Sequence, residues 1–298
     1  MRHLLTINEF SDKEILDILD LASKIKKNPG KYKDKLKGKT LLMIFAKPSL
    51  RTNLSFNVGI FQLGGEAIFY NLDQSTLGAK ESIKDFSKVD SRYVDIVMAR
   101  LFEHKDIEEL AKYSDVPVIN GLTNDHHPCQ ALGDILTIKE RFKNFRNVKI
   151  TYIGDANNNV TNSLIIICNK LGMEITICSP NKKEFLPNKQ VIGDLKYNYE
   201  SDPKKAVQNC NVIYCDTWMS YNIPKSQHSK RAKILKNYQV NEALLNITKN
   251  ALFMHCLPAK RGEEVTDAVM DSERSIVYDQ AENRLFVQKA VMLKLLGK

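Results

Sequence analysis

The chain has 298 residues and a formal net charge of +9, and 43% of its residues are hydrophobic and 27% charged. These proportions are typical of a soluble globular protein, and the lack of any apolar run of about 18 residues excludes a membrane-spanning helix. Because a single hydrophobic core rarely extends beyond roughly 250 residues, the length predicts two domains.

The basic charge comes from lysines scattered along the chain, as in residues 24–39, with few aromatic residues between them. Nucleic-acid binding is one explanation of such a charge, but the scattering favours a basic surface that concentrates small anions. We therefore expect no nucleic-acid partner and no membrane partner. The first residues contain no long apolar segment of the kind found in a signal peptide, so we expect a cytoplasmic protein.

The six cysteines do not form a CxxC pair, and most of them lie within apolar runs. This pattern is typical of reduced, buried thiols. The six histidines have no metal-binding spacing, and the segment YIGDANNNVTNSL (152–164) has one glycine where a dinucleotide-binding loop has three. The sequence therefore predicts neither a metal nor a redox cofactor.

In chain order, a helix within residues 7–27 comes first, with Ser11 as its N-cap. Short apolar runs typical of buried parallel strands follow in two sets, at 40–45, 66–71, 95–100 and 117–120, and then at 147–154, 174–180, 211–216, 251–257 and 275–280. Helical segments separate the runs. This alternation predicts the α/β class, with two doubly wound parallel-sheet domains joined by interdomain helices.

We place the boundary between the domains within the helical segment that follows His127, and we assign the final amphipathic helix to the first domain. The first predicted domain is thus 1–132 with 284–298, and the second is 133–283. Ligands of open α/β sheets bind beyond the carboxyl ends of the strands. The polar clusters that follow the predicted strands are therefore the candidate site.

The first cluster is KPSLRTNLSF (47–56), which joins a strand to a helix. Ser49, Leu50, Arg51 and Thr52 occupy the predicted helix N-terminus, where unpaired N–H groups and the helix dipole favour an anion. Arg51 can bind two phosphate oxygens at once. A helix-capping segment with a solvated arginine is the alternative interpretation.

Further clusters follow four other strands. Arg100 ends one strand and is either a rim charge or a second anion ligand, while His127 and Gln130 flank a predicted helix start and supply a polarising donor and an amide. Asp216 is a strand-end carboxylate that can hold an ammonium group. Cys256 stands in MHCLPAKRGEEV (254–265), with no general base adjacent to it in the sequence.

Together these motifs resemble those of the transcarbamylase family, which carries SxRT, a strand-end arginine, HPxQ and HCLP in this order. The form HCLPAKRGEEV is similar to the ornithine branch, because the aspartate branch has a proline in place of the cysteine. The segments KESIKD, VPVINGLTN, HPCQAL and AENRLFVQKAV are also similar to this branch. The resemblance extends from about residue 3 to residue 297.

The resemblance implies a transfer of the carbamoyl group from carbamoyl phosphate to the δ-amino group of L-ornithine. Arginine biosynthesis and citrulline breakdown are both open as the pathway in which this transfer works. It implies that carbamoyl phosphate binds to Ser49, Leu50, Arg51, Thr52, Arg100, His127, Gln130, Cys256, Leu257 and Arg284. It implies that ornithine binds to Asn159, Asp216, Ser220 and Tyr221, and that the catalytic residues are Arg51, Arg100, His127, Cys256 and Asp216. It also implies a homotrimer, in which Ser75, Thr76 and Lys80 reach a neighbouring subunit's site.

The chain departs from the family pattern at a few positions, notably Leu50, Thr76 and Tyr221-Asn222. The segment SYN (220–222) replaces a Ser-Met-Gly loop, so a sister carbamoyltransferase that uses putrescine or an N-acylated ornithine is the close alternative. A binding or regulatory protein on a decayed transferase scaffold is the alternative from another class. The presence of Arg51, Arg100 and His127 argues against decay.

Overall fold

The computed structural model describes residues 1–72, 81–220 and 223–298. The chain forms two compact units, Met1–Leu136 with Glu282–Lys298 and Thr137–Ala281. At both positions where the chain passes from one unit to the other, it does so within a helix. Within the described residues, no helix combines the length and the apolar character needed to cross a membrane.

The first unit is a parallel four-stranded sheet with helices. Its elements are α1 (Asp12–Lys27), β1 (Thr40–Phe45), α2 (Leu50–Gln62), β2 (Glu66–Asn71), α3 (Ile83–Asp90), β3 (Ile96–Arg100), α4 (His104–Tyr113), β4 (Val118–Leu122), the start of α5 (Pro128–Arg141) and most of α12 (Val277–Leu295). The strand order is β2-β1-β3-β4. The order therefore reverses between β1 and β3, where Phe45 pairs with Arg100.

The second unit has a parallel five-stranded sheet in the order β7-β6-β5-β8-β9. Its elements are β5 (Lys149–Ile153), α6 (Asn159–Leu171), β6 (Glu174–Cys178), α7 (Lys189–Ile192), β7 (Asn198–Glu200), α8 (Pro203–Ala206), β8 (Val212–Cys215), α9 (His228–Leu235), α10 (Glu242–Leu245), β9 (Leu252–His255) and α11 (Asp267–Met270). Here the order reverses between β5 and β8. The predicted class, two doubly wound parallel sheets, is confirmed.

Capping residues in the sequence predicted the starts of several helices correctly. Ser11 caps α1 in a capping box with Glu14, and Ser49 caps α2 by accepting from the N–H of Thr52. Each cap satisfies an N–H group that would otherwise lack a partner in the first turn. The predicted start of α5 after His127 is also observed.

Three predictions about the strands were wrong. Residues 275–280 are not a strand, because the chain makes two backbone bonds with Phe253 and then enters α12 at Val277. The edge strand β7 was missed, since its residues Asn198–Glu200 do not form an apolar run. Strand β2 was expected to be buried, but Ile68 and Phe69 are 51% and 48% exposed because β2 lies at the sheet edge.

Candidate active site

The first candidate site lies where the strand order of the first sheet reverses. Beyond Phe45 the chain passes Lys47 and enters α2, and beyond Arg100 it passes toward α4. Because β1 and β3 are neighbours, the side chains that follow them meet at one edge of the sheet. Sequence reasoning could locate each strand end, but the neighbouring positions of β1 and β3 come from the tertiary structure.

The start of α2 is a helix N-terminus capped by Ser49. The Ser49 hydroxyl donates to Thr52 Oγ1 at 3.0 Å and accepts from the Thr52 N–H. The Leu50 side chain is 72% exposed. Because Leu50 is the first residue of α2, its backbone N–H has no partner within the helix, and a leucine provides this N–H as well as a threonine does.

Cations surround His127, which lies immediately before α5 and is buried. Burial holds the pKa of His127 well below its usual value, and the positive charges of Arg284, Arg100 and Lys47 lower this pKa further. His127 is therefore neutral near pH 7. A neutral imidazole can donate one hydrogen bond to a carbonyl oxygen without adding another charge.

Arg284 links three helices of the first unit. Its Nη1 donates to Gln130 Oε1 on α5 at 2.9 Å, and its Nη2 donates to Thr52 Oγ1 on α2 at 3.3 Å. Arg284 itself lies on α12 and is buried. The structure thus brings together the predicted residues Thr52, His127, Gln130 and Arg284, although Arg284 is distant from the others in sequence.

Lys47 belongs to this cationic cluster and was missed as a site residue. Its Nζ donates to Asn124 Oδ1 at 2.7 Å and lies 4.4 Å from the centroid of the Phe102 ring. Burial lowers the pKa of Lys47 to about 8, and the charge of Arg100 acts in the same direction. The available signal was its position in KPSLRT, directly after a strand.

We expect phosphate affinity to fall as the pH rises through about 8, because Lys47 then loses its charge. Lys47→Arg should keep the affinity high at that pH, since a guanidinium stays protonated. Isothermal titration with inorganic phosphate, from about pH 7 to about pH 10, measures this difference. If phosphate affinity depended on pH in the same way in the wild-type chain and in Lys47→Arg, Lys47 would not be a phosphate ligand.

The lowered pKa of Lys47 also affects the stability of the free protein. In the unfolded chain a lysine keeps its proton up to a pKa of about 10.4, so between about pH 8 and that value the unfolded state binds more protons than the folded state. The free energy of unfolding should therefore rise with pH across this window.

The second candidate site lies where the second sheet reverses, at the ends of β5 and β8. After β5, Gly154 has φ +124°, and a Cβ there would lie 3.2 Å from Trp218 Nε1. Asn158 caps α6 by accepting from the Thr161 N–H at 2.8 Å. Asn159, a predicted ligand, is the first residue of α6 and is partly buried. The close approach at Gly154 places the Trp218 segment against the end of β5.

Asp216 follows β8 and has a buried side chain. Its Oδ1 accepts from Cys256 Sγ at 3.0 Å and from the Thr217 N–H at 2.7 Å. Burial raises the pKa of Asp216, while His255 and these hydrogen bonds lower it. Asp216 and Cys256, which are separated in sequence, are therefore brought into hydrogen-bonding contact, because they follow the neighbouring strands β8 and β9.

His255 and Glu264 form a buried pair that sequence reasoning did not select. His255 Nδ1 accepts from the Leu257 N–H at 2.8 Å, and its Nε2 lies 3.4 Å from Glu264 Oε1. Because Nδ1 is an acceptor, the neutral ring carries its proton on Nε2, toward Glu264. The pair thus fixes the turn that contains Leu257, whose φ is +59°. Both residues stand within the quoted motif HCLPAKRGEEV.

One group of the described residues could hold a metal ion. The ligand atoms of Asp216, His255 and Cys256 lie within 4.8 Å of one another. In this structure the His255 ring nitrogen Nδ1 is bonded to Leu257, and the thiol is bonded to Asp216. Each of the three side chains is therefore hydrogen-bonded to a protein group in this structure.

Some predicted residues remain without structural placement. Ser75, Thr76, Lys80 and Tyr221 lie outside the described residues, as does Asn222. Ser220 is partly exposed, and its carbonyl accepts from the Ile223 N–H at 3.0 Å. The roles of these residues in binding stay predictions.

The sequence matches two family descriptions along nearly its whole length. Residues 2–140 match "Aspartate/ornithine carbamoyltransferase, carbamoyl-P binding domain", and residues 146–295 match "Aspartate/ornithine carbamoyltransferase, Asp/Orn binding domain". The chain belongs to the aspartate/ornithine carbamoyltransferase family, and the resemblance inferred from the motifs is confirmed.

Known members of the family are similar to the whole chain. The ornithine carbamoyltransferase of Archaeoglobus fulgidus is 46% identical, with 100% of this chain and 98% of the relative covered. The Pyrococcus furiosus protein named "Ornithine carbamoyltransferase, anabolic" is also 46% identical, with 99% and 96% covered. A solved structure of ornithine carbamoyltransferase from Pyrococcus furiosus has a TM-score of 0.93 at 45% identity, covering 99% of this chain and 97% of that one.

Proposed function

We propose that this chain is an ornithine carbamoyltransferase, which converts carbamoyl phosphate and L-ornithine into L-citrulline and phosphate. The observation that carries the proposal is the buried cationic cluster of Lys47, Arg100 and Arg284 around neutral His127, next to the N-terminus of α2. Such a cluster suits a dianionic phosphoryl group beside a polarised carbonyl. The similarity to relatives with this name supports the same conclusion.

The first unit, assigned in sequence to residues 1–132 and 284–298, would bind carbamoyl phosphate. Ser49, Thr52 and the N–H groups of α2 would hold the phosphate, together with Arg51 and Arg100. His127 would donate to the carbamoyl oxygen, where negative charge develops. Arg284 would neutralise charge on the leaving phosphate. Ser49, Thr52 and Arg284 are already hydrogen-bonded to protein groups, so these three would need little reorganisation during the reaction.

The second unit, assigned to residues 133–283, would bind ornithine. Asp216 would hold an ammonium group, while Asn159 and Ser220 would bind the other polar groups of the amino acid. In the reaction, the neutral δ-amino nitrogen forms a bond to the carbamoyl carbon. The bond from that carbon to the phosphate oxygen breaks, and phosphate leaves with the electron pair. The amine proton passes to Asp216, to which the Cys256 thiol is hydrogen-bonded, or to the leaving phosphate.

A panel of amines tests the proposed function directly. The purified chain is given carbamoyl phosphate with L-ornithine, putrescine, N-acetylornithine or L-aspartate, and phosphate release is measured. We expect L-ornithine to give by far the highest kcat/KM. A preference for another amine would establish the sister activity suggested by SYN (220–222), and no turnover with any amine would refute carbamoyl transfer.

We further infer a cytoplasmic homo-oligomer, most simply a trimer, that works in arginine biosynthesis. Support for assembly comes from exposed apolar side chains on α2 and β2, namely Leu54, Val58, Phe61, Ile68 and Phe69. The α2 members follow the spacing i, i+4, i+7 and so form one stripe. Support for the biosynthetic direction comes from the Pyrococcus furiosus relative that is named anabolic.

Phe61→Glu is expected to break the assembly into smaller species. The Phe61 side chain is 74% exposed in the single chain, so a charge there costs little unless a partner covers it. Multi-angle light scattering after gel filtration measures the mass of each species. Tyr278→Glu, at another exposed aromatic residue, is the control and should leave the mass unchanged. A monomeric wild-type protein would contradict the inferred assembly.

A further inference from the structure

Asp134 is a fully buried carboxylate on α5, one helical turn after Gln130. Gln130 Nε2 donates to Asp134 Oδ1 at 2.8 Å, in a bond that is itself buried. Burying a carboxylate costs free energy unless its oxygens are hydrogen-bonded. A carboxylate at this position is therefore expected to have a specific role toward Gln130. Asp134 is not one of the HPxQ residues and takes no part in the proposed reaction as described above.

The two neighbours of Gln130 determine which way its amide faces. On one side an oxygen of Asp134 accepts, and on the other side the Arg284 guanidinium can only donate. The observed orientation satisfies both, because Nε2 donates to Asp134 while Oε1 accepts from Arg284 Nη1 at 2.9 Å. In the reverse orientation, Oε1 would face the carboxylate and Nε2 would face the guanidinium. The reversed amide would therefore lose two charge-assisted hydrogen bonds.

The oriented amide presents its oxygen to the cationic cluster. Arg284 also donates to Thr52 at the start of α2, so Oε1 lies on the side of the anion site. A carbonyl oxygen has two acceptor positions, and Arg284 occupies one of them. The second position suits an N–H donor carried by a ligand whose phosphate is bound at α2.

We propose that Asp134 is a positioning residue that makes Gln130 a hydrogen-bond acceptor for the amino group of the carbamoyl donor. It thereby sets the preference for a carbamoyl phosphate over an acyl phosphate that has a methyl group in that place. This inference rests on the proposed function, since it concerns the donor substrate of the same site. Acetyl phosphate has the same phosphate and carbonyl groups as carbamoyl phosphate but lacks the N–H donors.

The test compares the donor preference of the wild-type chain with that of Asp134→Leu and Asp134→Asn. Leucine has a similar size and no acceptor, whereas asparagine keeps an oxygen that can accept from Gln130 Nε2. The measured quantities are the KM of carbamoyl phosphate and the inhibition constants of acetyl phosphate and inorganic phosphate. Cys129→Ala, at a buried position next to Gln130, is the control for general packing of α5.

In the wild-type chain, carbamoyl phosphate should bind at least about tenfold more tightly than acetyl phosphate, as one lost hydrogen bond to an oriented acceptor predicts. Asp134→Leu should raise the KM of carbamoyl phosphate about tenfold and leave both inhibition constants within about twofold. Asp134→Asn should keep most of the preference, and Cys129→Ala should keep all of it.

An equal loss of affinity for all three ligands in Asp134→Leu would show a merely structural role and overturn the proposal. An unchanged preference in that variant would overturn it as well. If circular dichroism shows that Asp134→Leu does not fold, Asp134→Ala removes the same acceptor with less crowding. Failure of the wild-type chain to form citrulline would refute the proposed function, whereas citrulline formation with an unaltered variant preference would refute only the role of Asp134.

Discussion

Arg100→Gln is expected to lower kcat/KM for carbamoyl phosphate by about 10²–10³-fold, the usual cost of losing one preorganised donor to developing charge. Arg100 is buried at the end of β3, and its charge contributes to the lowered pKa values of Lys47 and His127. These effects indicate that the Arg100 guanidinium lies close to the side chains of Lys47 and His127, in a region that is shielded from water. A glutamine there keeps polar contacts but removes the charge.

Steady-state kinetics with varied carbamoyl phosphate measures this loss, and the thermal midpoint separates it from unfolding. Because Arg100 repels the Lys47 ammonium, Arg100→Gln should raise the pKa of Lys47 toward its ordinary value. Arg100→Lys is the matched control, since it keeps the charge but loses the two-pronged geometry, and it should retain more activity. Wild-type kinetics in Arg100→Gln would exclude Arg100 from the phosphate site.

Asp216→Asn is expected to lower kcat/KM for ornithine by about 100-fold or more. The substitution removes the buried carboxylate that would pair with the ammonium group of bound ornithine. The binding of carbamoyl phosphate should change less, since the cations and the α2 N-terminus that would hold its phosphate lie in the first unit. The raised pKa of Asp216 also predicts an acid limb in the wild-type pH profile, at a higher pH than an ordinary carboxyl gives. This limb should disappear in the variant.

Fluorescence offers a direct measurement of ornithine binding, since Trp218 is the only tryptophan of the chain and is buried two residues after Asp216. Ornithine should change its emission in the wild-type chain, and the variant should need a much higher concentration. Asp202→Asn is a suitable control, because asparagine also caps a helix and Asp202 caps α8 in the same unit. Equal ornithine affinity in wild type and Asp216→Asn would remove Asp216 from the amine site.

The sequence by itself determined the α/β class, most strand positions and the start of α2 at Ser49. These features follow from local signals, namely the apolar runs and the caps such as Ser49, which act between residues close in the chain. The motif order also identified Arg100, His127 and Cys256 as candidates before their positions were known. The run at 275–280 was misassigned because a short apolar run is equally compatible with a strand and with a buried helix.

The tertiary structure alone decided which of these groups meet and how each is oriented. Arg284 reaches Gln130 across 154 positions, and Cys256 reaches Asp216 across 40, because the strand order and the return of α12 bring them together. Burial, which no single residue specifies, lowers the pKa of Lys47 and raises that of Asp216. The amide of Gln130 has a defined direction for the same reason, since an acceptor and a donor from different parts of the fold lie on its two sides.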